Sequence, residues 1–355
     1  MEKTIYKVDT KGNDRFLTVK TEGADMIQLS GIVGTESPLE HRRTCKPKSV
    51  GKSNETTAED QAIKEGEAKI TKKLKVEYFT TIEEAKSTKV ILPMLAKNYA
   101  DEKHKIDWEK DDIYVQPKLD GVRGTNPLDE LISRKNEKIT LTHVEDELRD
   151  LKARLGKEFM LDGELYAHGY NFQKNSKLIS AGDFLVKYWV YDIVEEELSF
   201  KERTKLVAEY AKDLKNVIVV PTFKITSEEE LNTYHAQFLE EGYEGTILRW
   251  GSAGYKLKGR SANLLKFKDF IDEAYTIVDI VPCDVETEWG KPICVLNDGS
   301  GKTFGCGTKL THAEKKLLLI NKADYIGKTA EVRFFEFYES GIPRFPVYYG
   351  VRLDK

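Results

Sequence analysis

Tyr114-Val115-Gln116-Pro117-Lys118-Leu119-Asp120-Gly121-Val122-Arg123-Gly124 reads as an apolar strand that ends on a lysine and runs into Asp-Gly and an arginine. Asp-Gly readily supplies the positive φ of a tight turn, so the pattern predicts strand into turn with Lys118 at the strand end. In a phosphate-rich cleft with neighbouring cations such an amine can lose its proton near neutral pH and become a nucleophile; beside an ordinary hairpin turn it is a solvated side chain. Lys-x-Asp-Gly arises by chance in roughly one chain in ten of this length. The surrounding chain has to decide.

At 355 residues the chain is long enough for two or three domains, each with its own core. With 40% hydrophobic and 33% charged residues it fits a soluble globular protein, and no run approaches the apolar length that spans a bilayer. The start, Met1-Glu2-Lys3-Thr4, lacks the charged-then-apolar pattern of a signal peptide, so the expectation is a cytoplasmic protein with no membrane partner. Cys45, Cys283, Cys294 and Cys306 lack the close paired spacing of a zinc site or a disulfide scaffold, and reduced, packed thiols are expected. A net charge of -4 does not by itself mark a nucleic-acid binder, because the field depends on where the 56 basic residues cluster.

Residues 1–85 read as a small α+β module. Thr4-Ile5-Tyr6-Lys7-Val8 and Arg15-Phe16-Leu17-Thr18-Val19 are strand-like and flank the turn signal Lys11-Gly12-Asn13-Asp14. Arg42, Arg43, Lys46, Lys48 and Lys52 then fall within eleven residues that hold no acid, a run that can follow a phosphate backbone or be merely solvated. Thr56 with Glu59 predicts a capping box opening a helix whose Ala62, Gly66, Ile70 and Leu74 recur every fourth residue. The module resembles the WGR-type DNA-end-binding domain; the signature falls on Ser30-Gly31-Ile32-Val33-Gly34, with Ser30 and Ile32 standing for its Trp and Arg.

From 86 to 272 strands and helices alternate. Strands are predicted at Ile113 to Gln116, Phe159 to Leu161, Tyr188 to Val194 and Thr246 to Trp250. Helices are predicted on Val144, Leu148, Leu151 and Leu155, on Leu206, Val207, Tyr210 and Leu214, and on Leu231, Tyr234 and Phe238 before Gly242. Antiparallel sheets flanked by helices fit best. Residues 273–355 are β-rich with one helix, His312 to Ala323, capped by Thr311 and Glu314, which suggests an OB-fold β-barrel. The fold class is therefore α+β multidomain.

Further polar clusters lie downstream of Lys118. Arg134 follows Ser133; Asp162-Gly163-Glu164 interrupts an apolar run, as a tight turn or as carboxylates needing a partner or metal. Tyr188 to Asp192 carries aromatics for core packing or base stacking. Glu244-Gly245 precedes a β-run containing Ile247, and alternation sends Lys266 and Lys268 to one face, where two like charges repel unless an anion lies between them. Phosphates with a divalent ion would satisfy this set.

Lys118-Leu119-Asp120-Gly121-Val122-Arg123, Ser133-Arg134, Asp162-Gly163-Glu164, Trp189-Val190-Tyr191-Asp192, Glu244-Gly245, Lys266-Phe267-Lys268, Arg344-Phe345-Pro346 and Arg352-Leu353-Asp354-Lys355 stand in the order of the serial motifs of covalent nucleotidyltransferases, and over residues 93–355 the chain resembles compact viral or bacteriophage ATP-dependent DNA ligases. The resemblance implies that Lys118 becomes lysyl-AMP, that AMP passes to the 5′-phosphate of a nick in duplex DNA, and that the 3′-hydroxyl displaces it. It implies ATP with Mg²⁺ or Mn²⁺ as cofactors, with Glu164 and Glu244 toward the metal. It puts Tyr191 and Ile247 on the adenine faces, Gln116 at the base edge, and Arg123 and Arg134 on the ribose and the nick phosphate. Lys266 and Lys268 would neutralise the α-phosphate, while Arg344, Arg352, Asp354 and Lys355 orient pyrophosphate. After Ser133-Arg134 the chain reads Lys135-Asn136 where the family of this resemblance often has a glycine. A monomer in a bacterial or phage-infected cell is expected. The rivals are an mRNA-capping guanylyltransferase, an RNA ligase, and a non-catalytic DNA-end-binding protein.

Overall fold

The computed structural model describes all residues except 89–90, 127–129, 135, 157, 284–285 and 353–355. The chain divides into two compact units, Met1–Lys268 and Asp269–Lys355.

The first unit begins with a four-stranded antiparallel sheet, Glu2–Val8, Asp14–Glu22, Asp25–Ile32 and Leu39–Thr44, paired in sequence order. Ile5, Leu17, Val19 and Met26 turn to one face of it. Helix Ala58–Leu74 closes that face with Ala62 and Ile70. Its cap is Thr57, one residue later than expected, accepting from the Asp60 amide at 3.1 Å. Thr56 is buried and its hydroxyl is spent on Gln61 Oε1 at 3.0 Å, so the next, exposed threonine takes the capping position.

Two further sheets build the rest of this unit. One orders Phe223–Ile225, Ile113–Lys118, Gly245–Trp250, Arg260–Phe267 and Leu95–Asn98; the other orders Val217–Val219, Lys187–Ile193, Leu161–Tyr166, Val122–Thr125, Leu131–Ser133 and Lys138–Ile139. Both are antiparallel apart from one parallel pair each, Leu95–Asn98 beside Arg260–Phe267 and Val217–Val219 beside Lys187–Ile193. Helix Glu228–Glu240 covers the first sheet with Leu231 and Phe238. Helices Thr142–Leu155, Phe172–Ser180 and Phe200–Tyr210 cover the second around Leu148, Leu161, Tyr188 and Val207.

The opening stretch joins these two sheets. Ile113–Lys118 lies in one and Val122–Thr125 in the other, so Leu119-Asp120-Gly121 is a crossing between sheets and not a hairpin turn. Gly121 is also absent from the positive-φ residues. What requires glycine is proximity: a Cβ there would sit 2.3 Å from the Leu165 carbonyl oxygen and 3.0 Å from Glu164 Cγ. Asp162-Gly163-Glu164 likewise lies inside strand Leu161–Tyr166 and is no turn.

The second unit is OB-like. Its sheet orders Thr303–Gly305, Gly290–Val295, Ile271–Pro282, Thr329–Phe334, Val347–Val351 and Gly307–Thr308 over a core of Tyr275, Ile277, Leu318, Val332 and Phe334. No ladder among the described residues closes this sheet into the expected barrel; instead one continuous stretch, 303–308, pairs with Gly290–Val295 at one edge and Val347–Val351 at the other. The capping box of Thr311 and Glu314 forms, and its helix ends at Ile320, followed by a 3-10 turn at Lys322–Asp324.

Gly121→Ala should lower stability by about 2 kcal/mol or more, because the methyl meets backbone that cannot move aside; urea unfolding with an unchanged slope checks it.

Candidate active site

The two sheets face a cleft of about 1020 Å³, lined by Gln116, Lys118, Ile247, Lys266 and Lys268 from one side and by Arg123, Glu164 and Tyr191 from the other. That is at the upper end of roughly 300–1,000 Å³ for small-molecule sites. Arg134 lies exposed at its edge.

Lys118 ends its strand directly opposite Gly245. The Glu244 amide donates to the Lys118 carbonyl at 2.9 Å, which fixes the backbone that carries the acid. Only glycine fits at 245: a Cβ would lie 2.5 Å from the Phe267 carbonyl. The Glu244 carboxylate is thereby drawn between two ammonium groups, one oxygen accepting from Lys118 Nζ and the other pairing with Lys268 Nζ. An anion is expected between Lys266 and Lys268; Glu244 instead pairs Lys268 with Lys118.

Arg123 is anchored by Asp162, with Nε to Oδ1 at 2.8 Å and Nη2 to Oδ2 at 2.5 Å, and by the Met94 carbonyl at 2.7 Å. Tyr255 donates to the same Asp162 oxygen at 2.6 Å and accepts from Arg123 Nη2 at 3.4 Å. Of five N–H groups one, on Nη1, is left for a ligand. The Tyr191 ring lies 5.7 Å from the Arg123 guanidinium and 5.6 Å from that of Arg249.

Burial pushes the Glu164 carboxyl up to about 7; Lys118 and Arg123 oppose the shift and Asp162 and Asp120 add to it. The Lys266 amine is lowered, first by burial and then by the charges of Arg260 and Lys118. Burial thus acts against the charged form of both groups.

Other expected residues stand apart. Arg344, in the second unit, is buried, pairs with Glu336 and packs with Phe335 and Phe345 rings 5.8 and 5.1 Å away. Arg352 follows the last strand with its side chain exposed, and Asp354 and Lys355 lie outside the described residues. In the N-terminal sheet Arg42 is neutralised by Glu22, Asp25 and Glu40, and Arg43 and Lys48 share Glu65. Lys46 and Lys52 are exposed with no ion pair among the described residues. Asn136 holds φ at 58°, a left-handed conformation that Asn tolerates, and its side-chain amide donates to the Lys75 carbonyl at 2.7 Å.

Sequence reasoning missed Arg249, Arg203 and Thr222. Asp192 receives Arg203 Nε at 2.7 Å and Arg249 Nη1 at 2.5 Å, all three side chains buried. An arginine inside the predicted strand Thr246 to Trp250 was the available signal, since a buried cation demands an acid.

A lysine held by a carboxylate at the junction of two sheets, with basic residues along the cleft and an OB-like unit following, defines a nucleotidyltransferase architecture. Residues 93–268 match the family model "ATP dependent DNA ligase domain" and residues 288–352 match "DNA ligase OB-like domain", and the chain belongs to the ATP-dependent DNA ligases. A DNA ligase of African swine fever virus is 27% identical over 340 residues, covering 87% of this chain and 79% of the relative. A DNA ligase of Enterobacteria phage T4 is 26% identical over 159 residues, covering 42% of this chain and 32% of the relative. The fold is that of a solved Lig E DNA ligase, with TM-score 0.61, 23% identity, 74% of this chain and 100% of that chain. These matches favour the ligase over the capping, RNA-ligase and non-catalytic readings. No helix among the described residues is long and apolar enough to cross a membrane.

Glu164 also links pH to stability. Its folded value of about 7 lies above the ordinary 4.5, so its contribution is most favourable below pH 4.5 and is lost as pH rises through 7. Glu164→Gln removes that loss, about 3 kcal/mol at full ionisation. The variant's Tm should exceed that of the nucleotide-free parent by several degrees at pH 8 and match it near pH 4.5; a difference independent of pH would assign it to packing.

Proposed function

We infer that this ligase seals nicks in duplex DNA through a lysyl-AMP on Lys118 and a 5′-adenylated DNA strand. The observation that carries the reading is the Lys118–Glu244–Lys268 arrangement on the cleft wall. In the first step Lys118 Nζ attacks the α-phosphorus of ATP; a P–N bond forms and pyrophosphate departs. Glu244 accepts a hydrogen bond from that amine and is the acceptor for the proton it sheds. A nick 5′-phosphate oxygen then takes the AMP from nitrogen, and attack by the 3′-hydroxyl on that 5′-phosphorus expels AMP.

Lys266 and Lys268 offset the charge at the α-phosphate. Tyr191 and Ile247 flank the base, with Gln116 at its edge. Arg123 uses its remaining N–H toward the ribose, and exposed Arg134 meets the nick phosphate. Among the described residues no group of three or more His, Cys, Asp or Glu could hold a metal ion. Mg²⁺ is commonly held by one or two carboxylates together with substrate phosphates. Glu164 and Glu244 are the carboxylates that would hold it. When bound, the ion withdraws charge from the phosphoryl oxygens.

Arg344, Arg352, Asp354 and Lys355 serve pyrophosphate departure in this reading. The N-terminal module touches DNA through Lys46 and Lys52 in the loop after strand Leu39–Thr44, with Arg42, Arg43 and Lys48 held by acids in the resting protein. The enzyme acts as a monomer in the cytoplasm of a bacterial or phage-infected cell.

With Mg²⁺ and ATP labelled at the α-phosphate, the protein should take up covalent label and seal nicked duplex DNA, and Lys118→Ala should do neither. Label from GTP alone, or sealing by Lys118→Ala with fresh ATP, would overturn the reading. Lys46→Glu with Lys52→Glu should weaken nick binding and reduce the slope of log K against log salt by about 2; an unchanged slope would remove the N-terminal module from the DNA contact.

A further inference from the structure

Gln116 is buried on the cleft wall, and every hydrogen-bonding valence of its amide but one is committed. Its Nε2 donates to the Tyr191 carbonyl at 3.2 Å and to Thr222 Oγ1 at 2.9 Å. Its Oε1 accepts from Arg249 Nε at 2.9 Å. Nitrogen and oxygen of an amide are assigned from such networks, and here the partners leave no choice. A guanidinium only donates, so oxygen faces Arg249; a peptide carbonyl only accepts, so nitrogen faces Tyr191. Thr222 spends its own proton on the Val220 carbonyl at 3.0 Å and can therefore only accept from Gln116. Arg249 is itself pinned by Asp192.

The amide has two N–H groups and two oxygen lone pairs. Both N–H groups and one lone pair are used. What remains is a single acceptor site.

We propose that Arg249 and Thr222 are specificity-positioning residues that lock the Gln116 amide so that it offers the base an acceptor and no donor. A 6-amino purine donates to that site, whereas a 6-oxo purine brings a second acceptor against it. The lock rests on the ligase reading above, because it needs the base to approach Gln116. Neither Arg249 nor Thr222 touches the nucleotide in this account; each acts through the amide.

The test compares ATP with inosine triphosphate, which differs at position 6 and the adjoining ring nitrogen, as donors in covalent labelling of the full chain. The parent should prefer ATP strongly, as sites that hydrogen-bond a polar group do. Arg249→Met removes a charge-assisted bond and the penalty against the flipped amide, so the ATP to inosine triphosphate ratio should fall roughly tenfold. Arg249→Lys, which still only donates, should restore most of the ratio. Thr222→Val keeps the buried ion pairs intact and should lower the ratio by a smaller factor, about threefold.

A purely structural role for Arg249 would depress both nucleotides equally and leave the ratio where it was. Unchanged ratios in Arg249→Met and Thr222→Val, with ATP labelling still measurable, overturn the proposal. If Arg249→Met does not fold, Thr222→Val decides alone, and its unchanged ratio overturns the proposal. Equal use of the two nucleotides by the parent overturns it too, while absence of any label from ATP in the parent defeats the ligase reading instead.

Discussion

Everything in the cleft depends on a carboxylate shared by two lysines. Lys118 and Lys268 line one pocket, and without Glu244 their charges would repel across a part-buried space where water screens poorly. Glu244 resolves this before any ligand arrives. Its position follows from two backbone facts: its amide is tied to the Lys118 carbonyl, and Gly245 allows its strand to approach Phe267. The same pairing restrains the amine. Lys118 and Lys268 can turn to an anion in the cleft only by giving up Glu244, so the carboxylate and any bound anion compete for the same two ammonium groups.

The opposite wall is organised by the same rule with the signs exchanged. Asp162 and Asp192 are buried and would be costly alone; Arg123 holds the first, and Arg203 with Arg249 hold the second. These pairs fix the guanidinium groups of Arg123 and Arg249 within 5.7 and 5.6 Å of the Tyr191 ring centre, and Arg249 orients Gln116. Glu164 has no such ion pair among the described residues, and its raised value near 7 reflects that burial wins over the pull of Lys118 and Arg123. The site therefore contains neutralised charges for shape and one poised charge for chemistry.

Much of this was legible in the sequence. Lys118, Glu164, Tyr191, Ile247, Lys266 and Lys268, read from short motifs, converge on one cleft. Their legibility comes from strands, where alternation constrains which face a side chain can take, as it does for Lys266 and Lys268. Three features were not readable. Gly121 looked like a turn residue because Asp-Gly is a turn signal, but its partner is a carbonyl from a distant strand. Helix Phe172–Ser180 is nine residues long, too short for periodicity to reveal, and it still supplies a cleft wall. The basic run from Arg42 to Lys52 looked available for phosphate, but the acids that neutralise most of it come from Glu22, Asp25 and Glu65, far from it in sequence.

Asn136 shows how a departure from a motif can carry its own explanation. The hairpin after Arg134 needs a left-handed residue, and glycine meets that need most cheaply. Asn meets it too, at φ 58°, and adds a side chain that reaches the Lys75 carbonyl just beyond the end of helix Ala58–Leu74. A glycine there would keep the turn and lose the tether. The exchange converts a local backbone requirement into a contact between the N-terminal sheet module and the loop that carries Arg134. The loop that carries Arg134 and the helix that closes the N-terminal sheet are thereby joined by one side-chain hydrogen bond.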